Sequence, residues 1–508
     1  MTSSIGFPIL TVITALPVVG AVVALFSGKS ARAVAVVTSL IALLLALVVW
    51  THLPANGSIG LIERAQWAPS LGIEYHLGVD GLGALMLVLS AIVTLISADA
   101  ADRVYVRPNL YFFFVLLLEA GLFGSFTALN FFHWFLFWEL SLIPAFFLIK
   151  LWGGPNRGRA ATQFFVYTMA GSVALLISFL AVFLATGTMD FVDLTQMAST
   201  GALGQVVTAH LGAVMPWLAI GVLAGFAVKV PMMPFHTWLP AAYSEAPSPV
   251  TMLLTGAMSK MGVYGLLRIA LPLFGHEIAG MRTWLLVLAA ITVVMGAWAA
   301  AAQKDLKRIF AYSSVNHLGY CLLGIFALAI PAAGSVIQAN QAAALNGVIL
   351  QMFNHGLTAA ALFWFVALLE ERSNGLRGLD DFGGLRKPAP VFAGLMGIAL
   401  FSSLGLPGLN GFVGEFLIFR GVFSLSWVSA SVSVLGLLIT AAVILTVIQR
   451  VFAGPVSDKW KEFPDMHGGE RFAMAPVIGL MMLIGLLPQL IVNSVNPTVV
   501  NLLSQWRF

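Results

Sequence analysis

Glu139 closes the run Phe131-Phe132-His133-Trp134-Phe135-Leu136-Phe137-Trp138-Glu139. Lys229 precedes Val230-Pro231-Met232-Met233-Pro234, and Lys260 lies well inside another apolar stretch. A charge held at the centre of a bilayer costs roughly 2.5–3.5 kcal/mol even on the gentler insertion scale, so such groups are paired, hydrated or neutralised, and most are functional. The plainer alternative is that they only bind helices to one another. A lysine whose opposite charge can approach and withdraw has two proton affinities, which is what a proton-carrying site needs.

Two histidines extend the set, because imidazole titrates near neutral pH. Ser313 and Ser314 precede His317 by four and three residues and so share its helix face; Gln351 and Thr358 flank His355 at similar spacing. These are polar stripes in otherwise apolar segments, the pattern of a hydrated path. His236, after Pro234-Phe235, is either a structural cap or a member of that path. Glu415 follows Gly411 by four residues. Glu245 lies in a Pro-rich loop and is expected at the surface.

The elements that must position these groups follow from composition. Hydrophobic residues make up 60% of the 508 and charged residues 9%, far from the roughly one-quarter charge of a soluble domain. Apolar runs long enough to cross a bilayer recur along the chain. The expected fold is an all-α polytopic membrane protein of about fourteen helices, near 5–27, 33–53, 79–98, 109–129, 131–151, 161–186, 211–240, 248–273, 283–302, 308–330, 341–369, 389–420, 428–453 and 472–494. The longer polar linkers are 54–78, 187–210, 370–388 and 454–471. The first apolar run, with no basic residue before it, reads as a helix rather than a cleaved signal. With the N-terminus outside, eighteen of the 25 Lys and Arg, Arg103 among them, fall in inner loops and five, Arg268 among them, on the outer side. That is a strong positive-inside bias. Lys229 and Lys260 are the two that remain.

The seventh and twelfth spans look interrupted, by Pro231 and Pro234 and by Gly405-Leu406-Pro407-Gly408-Leu409-Asn410-Gly411. A broken helix in lipid must lie against protein or line a wet cavity. Breaks five spans apart suggest two inverted five-helix repeats with discontinuous helices 7 and 12. The expected organisation is 1–108 for the first three helices, 109–273 for the first repeat, 281–453 for the second and 454–508 for the last helix.

Some chemistry is excluded. One cysteine, Cys321, cannot hold an iron–sulfur cluster, a structural zinc or an internal disulfide. There is no HExxH, Walker loop or GxGxxG, and a net charge of +4 on so apolar a chain argues for topology rather than nucleic-acid binding. The chain is read as carrying protons or another small cation across a membrane.

Eight motifs then bear on kinship: Gly78-Val79-Asp80-Gly81-Leu82, Phe137-Trp138-Glu139-Leu140, Phe226-Ala227-Val228-Lys229-Val230-Pro231, Pro234-Phe235-His236-Thr237-Trp238-Leu239-Pro240, Glu245-Ala246-Pro247-Ser248, Ser259-Lys260-Met261-Gly262, Ala311-Tyr312-Ser313-Ser314 and Asn354-His355-Gly356-Leu357. Together they resemble the antiporter-like subunits of respiratory complex I, the proton-pumping NADH:quinone oxidoreductase, over nearly the whole chain. Gly411-Phe412-Val413-Gly414-Glu415-Phe416 is most similar to the M-type (chain 4) branch, which has Glu where the L and N branches have Lys. Ala241 and Tyr243 depart from the pattern, standing where many members have Asp and His, so the resemblance assigns that pair no part in proton uptake here.

The resemblance implies that Glu139 pairs with Lys229 and modulates it, that Lys260 is the central relay, that His317 and His355 carry the connection onward, and that Glu415 is the terminal site. It implies no cofactor on this chain, with FMN, iron–sulfur clusters and quinone handled by partner subunits, and L- and N-type neighbours in a bacterial inner membrane, both termini on the outer side. Homologous cation/proton antiporters and membrane-bound hydrogenase-type complexes are the competing readings, and a structural scaffold is the third.

Overall fold

The computed structural model describes residues 5–68, 73–102, 104, 106–331 and 334–508. Arg103, counted above among the inner-loop cations, lies outside them. Among the described residues the chain is mostly helical, with eleven helices long and apolar enough to cross a membrane, or twelve if the bent pair Ala202–Leu211 and Met215–Lys229 is one span.

The difference from the predicted fourteen lies in three places. Predicted spans 248–273 and 283–302 form one 54-residue helical stretch, Ser248–Ala301. At 1.5 Å per residue that is about 80 Å, more than twice the hydrocarbon thickness, and Phe274 departs from helical geometry within it. The other two places are the predicted breaks. The seventh span runs as Met215–Lys229 and Trp238–Glu245, the twelfth as Pro390–Leu404 and Asn410–Leu425. Each piece alone is too short to pass as a span.

Two predicted linkers carry structure of their own. Residues 54–78 contain an antiparallel hairpin, Gly60–Ala68 with Ile73–Val79. Glu63 on it accepts from the backbone N–H groups of Leu10 and Thr11 at 2.8 and 2.9 Å, capping the first helix, Ile9–Phe26. Residues 187–210 hold two short helices, Phe191–Thr200 and Ala202–Leu211. Asp190 caps the first of these and is bound by His76 of the hairpin. Burial pushes the Asp190 carboxyl up, but the His76 hydrogen bond and charge outweigh it and hold it below the usual range. A final helix, Gln489–Gln505, follows Gly468–Leu486.

Three of the span starts are capped by short polar residues. Asp80, Asn130 and Asp305 accept from N–H groups at the heads of Gly81–Ala100, Phe131–Trp152 and Leu306–Ala327. Close helix approach comes from small residues. Gly414, on the helix with Glu415, lies so near Gln351, on the helix with His355, that a Cβ there would meet the Gln351 side chain at 2.5 Å. Larger residues would push those two ionisable groups apart.

Candidate functional site

Lys260 sits between two π-helical turns, Leu254–Met258 and Leu266–Ala270, and is 0% exposed. A π turn displaces the backbone ladder by one residue. Here Ser259 N–H bonds to Leu254 O at 3.1 Å, and the Thr255 carbonyl accepts from the Ser259 hydroxyl and the Lys260 ammonium. Lys260 Nζ also lies 2.8 Å from His355 Nδ1. When the lysine is charged it donates, which places the imidazole proton on Nε2.

His355 is on the long helix Ser335–Arg372 and His317 on Leu306–Ala327. Their ring centroids are 5.2 Å apart at 39°. His317 Nε2 lies 3.3 Å from the Ser403 hydroxyl, and its Nδ1 approaches Glu415 Oε1 at 3.1 Å, off the angle of a good hydrogen bond. Glu415 is 5% exposed. Its other oxygen covers Gly405, where a Cβ would sit 2.6 Å away; the φ of +82° at Gly405 is the part of this that favours glycine. A narrow cavity, about the size that holds a single water, joins His355, His317 and Glu415, with Ser313, Ser314, Gln351, Thr358 and Ser402 on its walls.

The second break makes this arrangement possible. Asn354 and Asn410 exchange side-chain-to-carbonyl hydrogen bonds at 2.7 and 3.2 Å, and the Ser402 hydroxyl donates to Asn410 Oδ1 at 2.6 Å and receives the Gly411 N–H at 3.4 Å. Freed backbone is thus satisfied by protein. The first break uses other partners: Met233 N–H donates to the Thr292 hydroxyl and Trp238 Nε1 to Val228 O, each at 3.0 Å.

Lys229, the last residue before that first break, is 3% exposed. Its ammonium lies 4.7 Å from the Trp138 ring centroid and 3.5 Å from the Ser141 hydroxyl, a cation–π contact plus one weak hydrogen bond. Glu139 adjoins Trp138 but makes no direct ion pair with Lys229; the two attract through space, and one Glu139 oxygen is buried with no bonded partner. Trp138 is itself fixed by donating to Ser172 at 2.9 Å.

The predicted residues therefore fall into two groups. Lys260, His355, His317 and Glu415 are linked contact by contact. Glu139 and Lys229 form a separate cluster, and among the described residues no hydrogen bond joins Lys229 to Lys260, although Gly262 packs against the Lys229 stem. His236 lies in the first break with its ring 6.4 Å from that of Tyr312 and bonds to neither group. Glu245 is only half-buried and accepts from Asn156 N–H at 2.8 Å, so it belongs to a folded corner rather than a free surface.

Several buried ionisable groups escaped the sequence reading. Glu119 is fully buried and receives the Ser39 hydroxyl at 3.0 Å; it stands in an apolar span, as Glu139 does, and the same argument would have found it. Arg268, assigned to the outer side, is a buried helix residue paired with Asp80. Lys307 is not a free loop cation but is buried against Glu370 at 3.3 Å. These pairs join residues far apart in sequence and leave no local signal.

Comparison with known proteins bears on this geometry. The family described as NADH:quinone oxidoreductase/Mrp antiporter, transmembrane, matches residues 128–440. NADH-quinone oxidoreductase subunit M of Rhodobacter capsulatus is 35% identical, with 98% of this chain and 97% of that protein covered. A chain of respiratory complex I from Thermus thermophilus superposes with a TM-score of 0.86 at 28% identity, covering 98% of this chain and all of that one. A chain of the Mrp complex from Dietzia sp. has a TM-score of 0.82 at 22% identity over 97% of each chain, a likeness of fold.

Proposed function

Since this chain belongs to the NADH:quinone oxidoreductase/Mrp antiporter family, we propose that it is the M-type proton-translocating subunit of a complex I membrane arm, and that protons pass along Lys260, His355, His317 and Glu415. The observation that carries the reading is the unbroken run of contacts from Lys260 Nζ to the Glu415 carboxylate. Lys260 delivers a proton to His355 at Nδ1, and the ring releases one from Nε2 toward the cavity. His317 takes it up and gives it to Glu415 from Nδ1. Each imidazole carries by accepting at one nitrogen and releasing at the other.

Glu139 and Lys229 act on this path from a distance, by a charge whose balance changes. FMN, iron–sulfur clusters and quinone then belong to partner subunits, and the immediate neighbours are of the L and N types. The membrane is the bacterial inner membrane with both termini outside, and the fourteen spans contain two inverted repeats, 109–273 and 281–453, each with one broken helix. The likeness to the Mrp complex supports the shared fold, whereas the 35% relative and the carboxylate at 415 favour the complex I branch.

The test is to purify the intact assembly, reconstitute it in vesicles and follow the internal pH while NADH is oxidised. A pH gradient built by NADH oxidation and abolished by an uncoupler is the expected result. An assembly that exchanges cations for protons without oxidising NADH would transfer the chain to the antiporter branch.

A further inference from the structure

Arg268 lies in the π turn Leu266–Ala270, eight residues beyond Lys260 in the stretch Ser248–Ala301, or about 12 Å along the helix. Its guanidinium is paired with the Asp80 carboxylate at the head of Gly81–Ala100, and the two side chains are only 9% and 2% exposed. Asp80 also accepts from the Gly83 N–H at 3.1 Å, which fixes it at the cap. Taking two charges out of water is costly, and well-packed apolar residues hold two helices as firmly. The pair thus costs more than packing alone requires.

Its surroundings give it a task. A pocket of about 260 Å³, room for several waters, ends on Arg268. Thr195, Gln196, Ser199 and Gln505 are on its walls, and Gln196 and Ser199 are exposed. Arg268 lines this pocket and Asp80 does not, so the cation is the member of the pair that faces it. The last helix, Gln489–Gln505, forms part of the wall, so on the orientation proposed above the pocket opens outward. Midway along the helix between Arg268 and Lys260 stands Tyr264. Its ring centroid is 5.8 Å from the Arg268 guanidinium carbon, and its hydroxyl donates to the Phe126 carbonyl at 3.2 Å.

We propose that the Arg268–Asp80 pair is a proton stop: it closes the outer pocket against Lys260, so that the lysine hands its proton sideways to His355 and takes none back from outside. This rests on the proton-translocating reading above. Two properties of a guanidinium serve. Its positive charge repels a hydronium ion entering the pocket. Its N–H groups only donate and it keeps its proton in a protein, so a water bound to it turns its oxygen toward the arginine and cannot pass a proton on through it. Arginine in a water-filled pore excludes protons in the same way. Asp80 holds the guanidinium in place and balances its charge. The Tyr264 hydroxyl, whose proton is committed to a carbonyl, offers no way round.

The experiment imposes an acid step on the pocket side of sealed vesicles holding equal amounts of assembled complex. The membrane potential is clamped, NADH is absent, and the pH on the other side is followed. The double variant Arg268→Gln/Asp80→Asn removes both charges and leaves no carboxylate unpaired; Arg268→Lys keeps a cation that only donates. The double variant is expected to assemble, to oxidise NADH as the wild type does, and to let protons through about tenfold faster, the order of effect that one unit charge has on another about 12 Å away. Arg268→Lys is expected to stay close to the wild type. Wild-type permeability in the double variant overturns the proposal, and so does its failure to assemble, since the pair would then be structural. A leak in Arg268→Lys as large as in the double variant overturns it too, because a positive charge would not be what closes the pocket. A wild-type complex that oxidises NADH and moves no protons would instead refute the proposed function, whatever the leak.

Discussion

The cluster around Lys229 and the chain that begins at Lys260 start from the same ingredient, a lysine buried beside hydroxyls, and build different devices from it. Lys229 rests against the face of Trp138, with Ser141 at 3.5 Å and, among the described residues, no ion pair or hydrogen bond to a second titratable group. Lys260 has His355 at 2.8 Å, then a second imidazole, then a carboxylate, all opening on one cavity. An aromatic face attracts a cation but cannot take its proton. An imidazole can. The first region is therefore suited to holding a charge whose field is felt elsewhere, and the second to passing protons along. Charge alone does not make a proton path; the chemistry of the nearest neighbour does.

The largest expected effect that would sharpen this contrast is at Lys260. Arginine keeps its proton in a protein, so Lys260→Arg preserves the charge and removes the transfer. Pumping should fall by about a hundredfold or more at matched complex content, measured as acidification of vesicles during NADH oxidation. Full activity in that variant would reduce Lys260 to the role assigned to Lys229, and the comparison would collapse.

A smaller effect is expected in the first region. Glu139→Gln should assemble and pump several-fold more slowly, because it removes one source of the field without cutting the path. A double-mutant cycle of Glu139→Gln with Lys229→Met should show a coupling of about 1 kcal/mol in the pumping barrier, within the usual range for groups that share a network. Additive effects would mean that the two charges do not act as a unit.

The mildest substitution shortens the last group without removing it. Glu415→Asp retains a carboxylate one methylene farther from His317 Nδ1, now 3.1 Å away. Partial pumping is expected, between wild type and the neutral variant. A complete loss would show that position matters more at this end than titratability.

The sequence read more plainly in some of these places than in others. The membrane class, the two interrupted helices and the six central ionisable residues were visible because each is a local contradiction: a charge, a proline or a glycine where an apolar helix should run. The hairpin 60–79 was not, since two short strands carry no long apolar run, and the helices of 191–211 are amphipathic rather than hydrophobic throughout. Nor were the π turns on either side of Lys260 legible. Their backbone geometry is decided by packing, and the Thr255 carbonyl that receives the ammonium is invisible in a residue list. The proposed division into a field and a conduit rests on contacts such as Lys260 with His355, 95 residues apart, which no local stretch of sequence displays.

The measurement that bears most directly on the conduit is the proton-to-electron ratio of Glu415→Gln, determined at matched complex content in sealed vesicles. Glutamine keeps the shape, and the loss of a charge that is costly to bury should leave assembly intact. The account predicts a normally assembled complex that oxidises NADH while moving fewer protons per electron than the wild type. An unchanged ratio would contradict it, and Glu415 would then be a marker of the branch and not the end of the path.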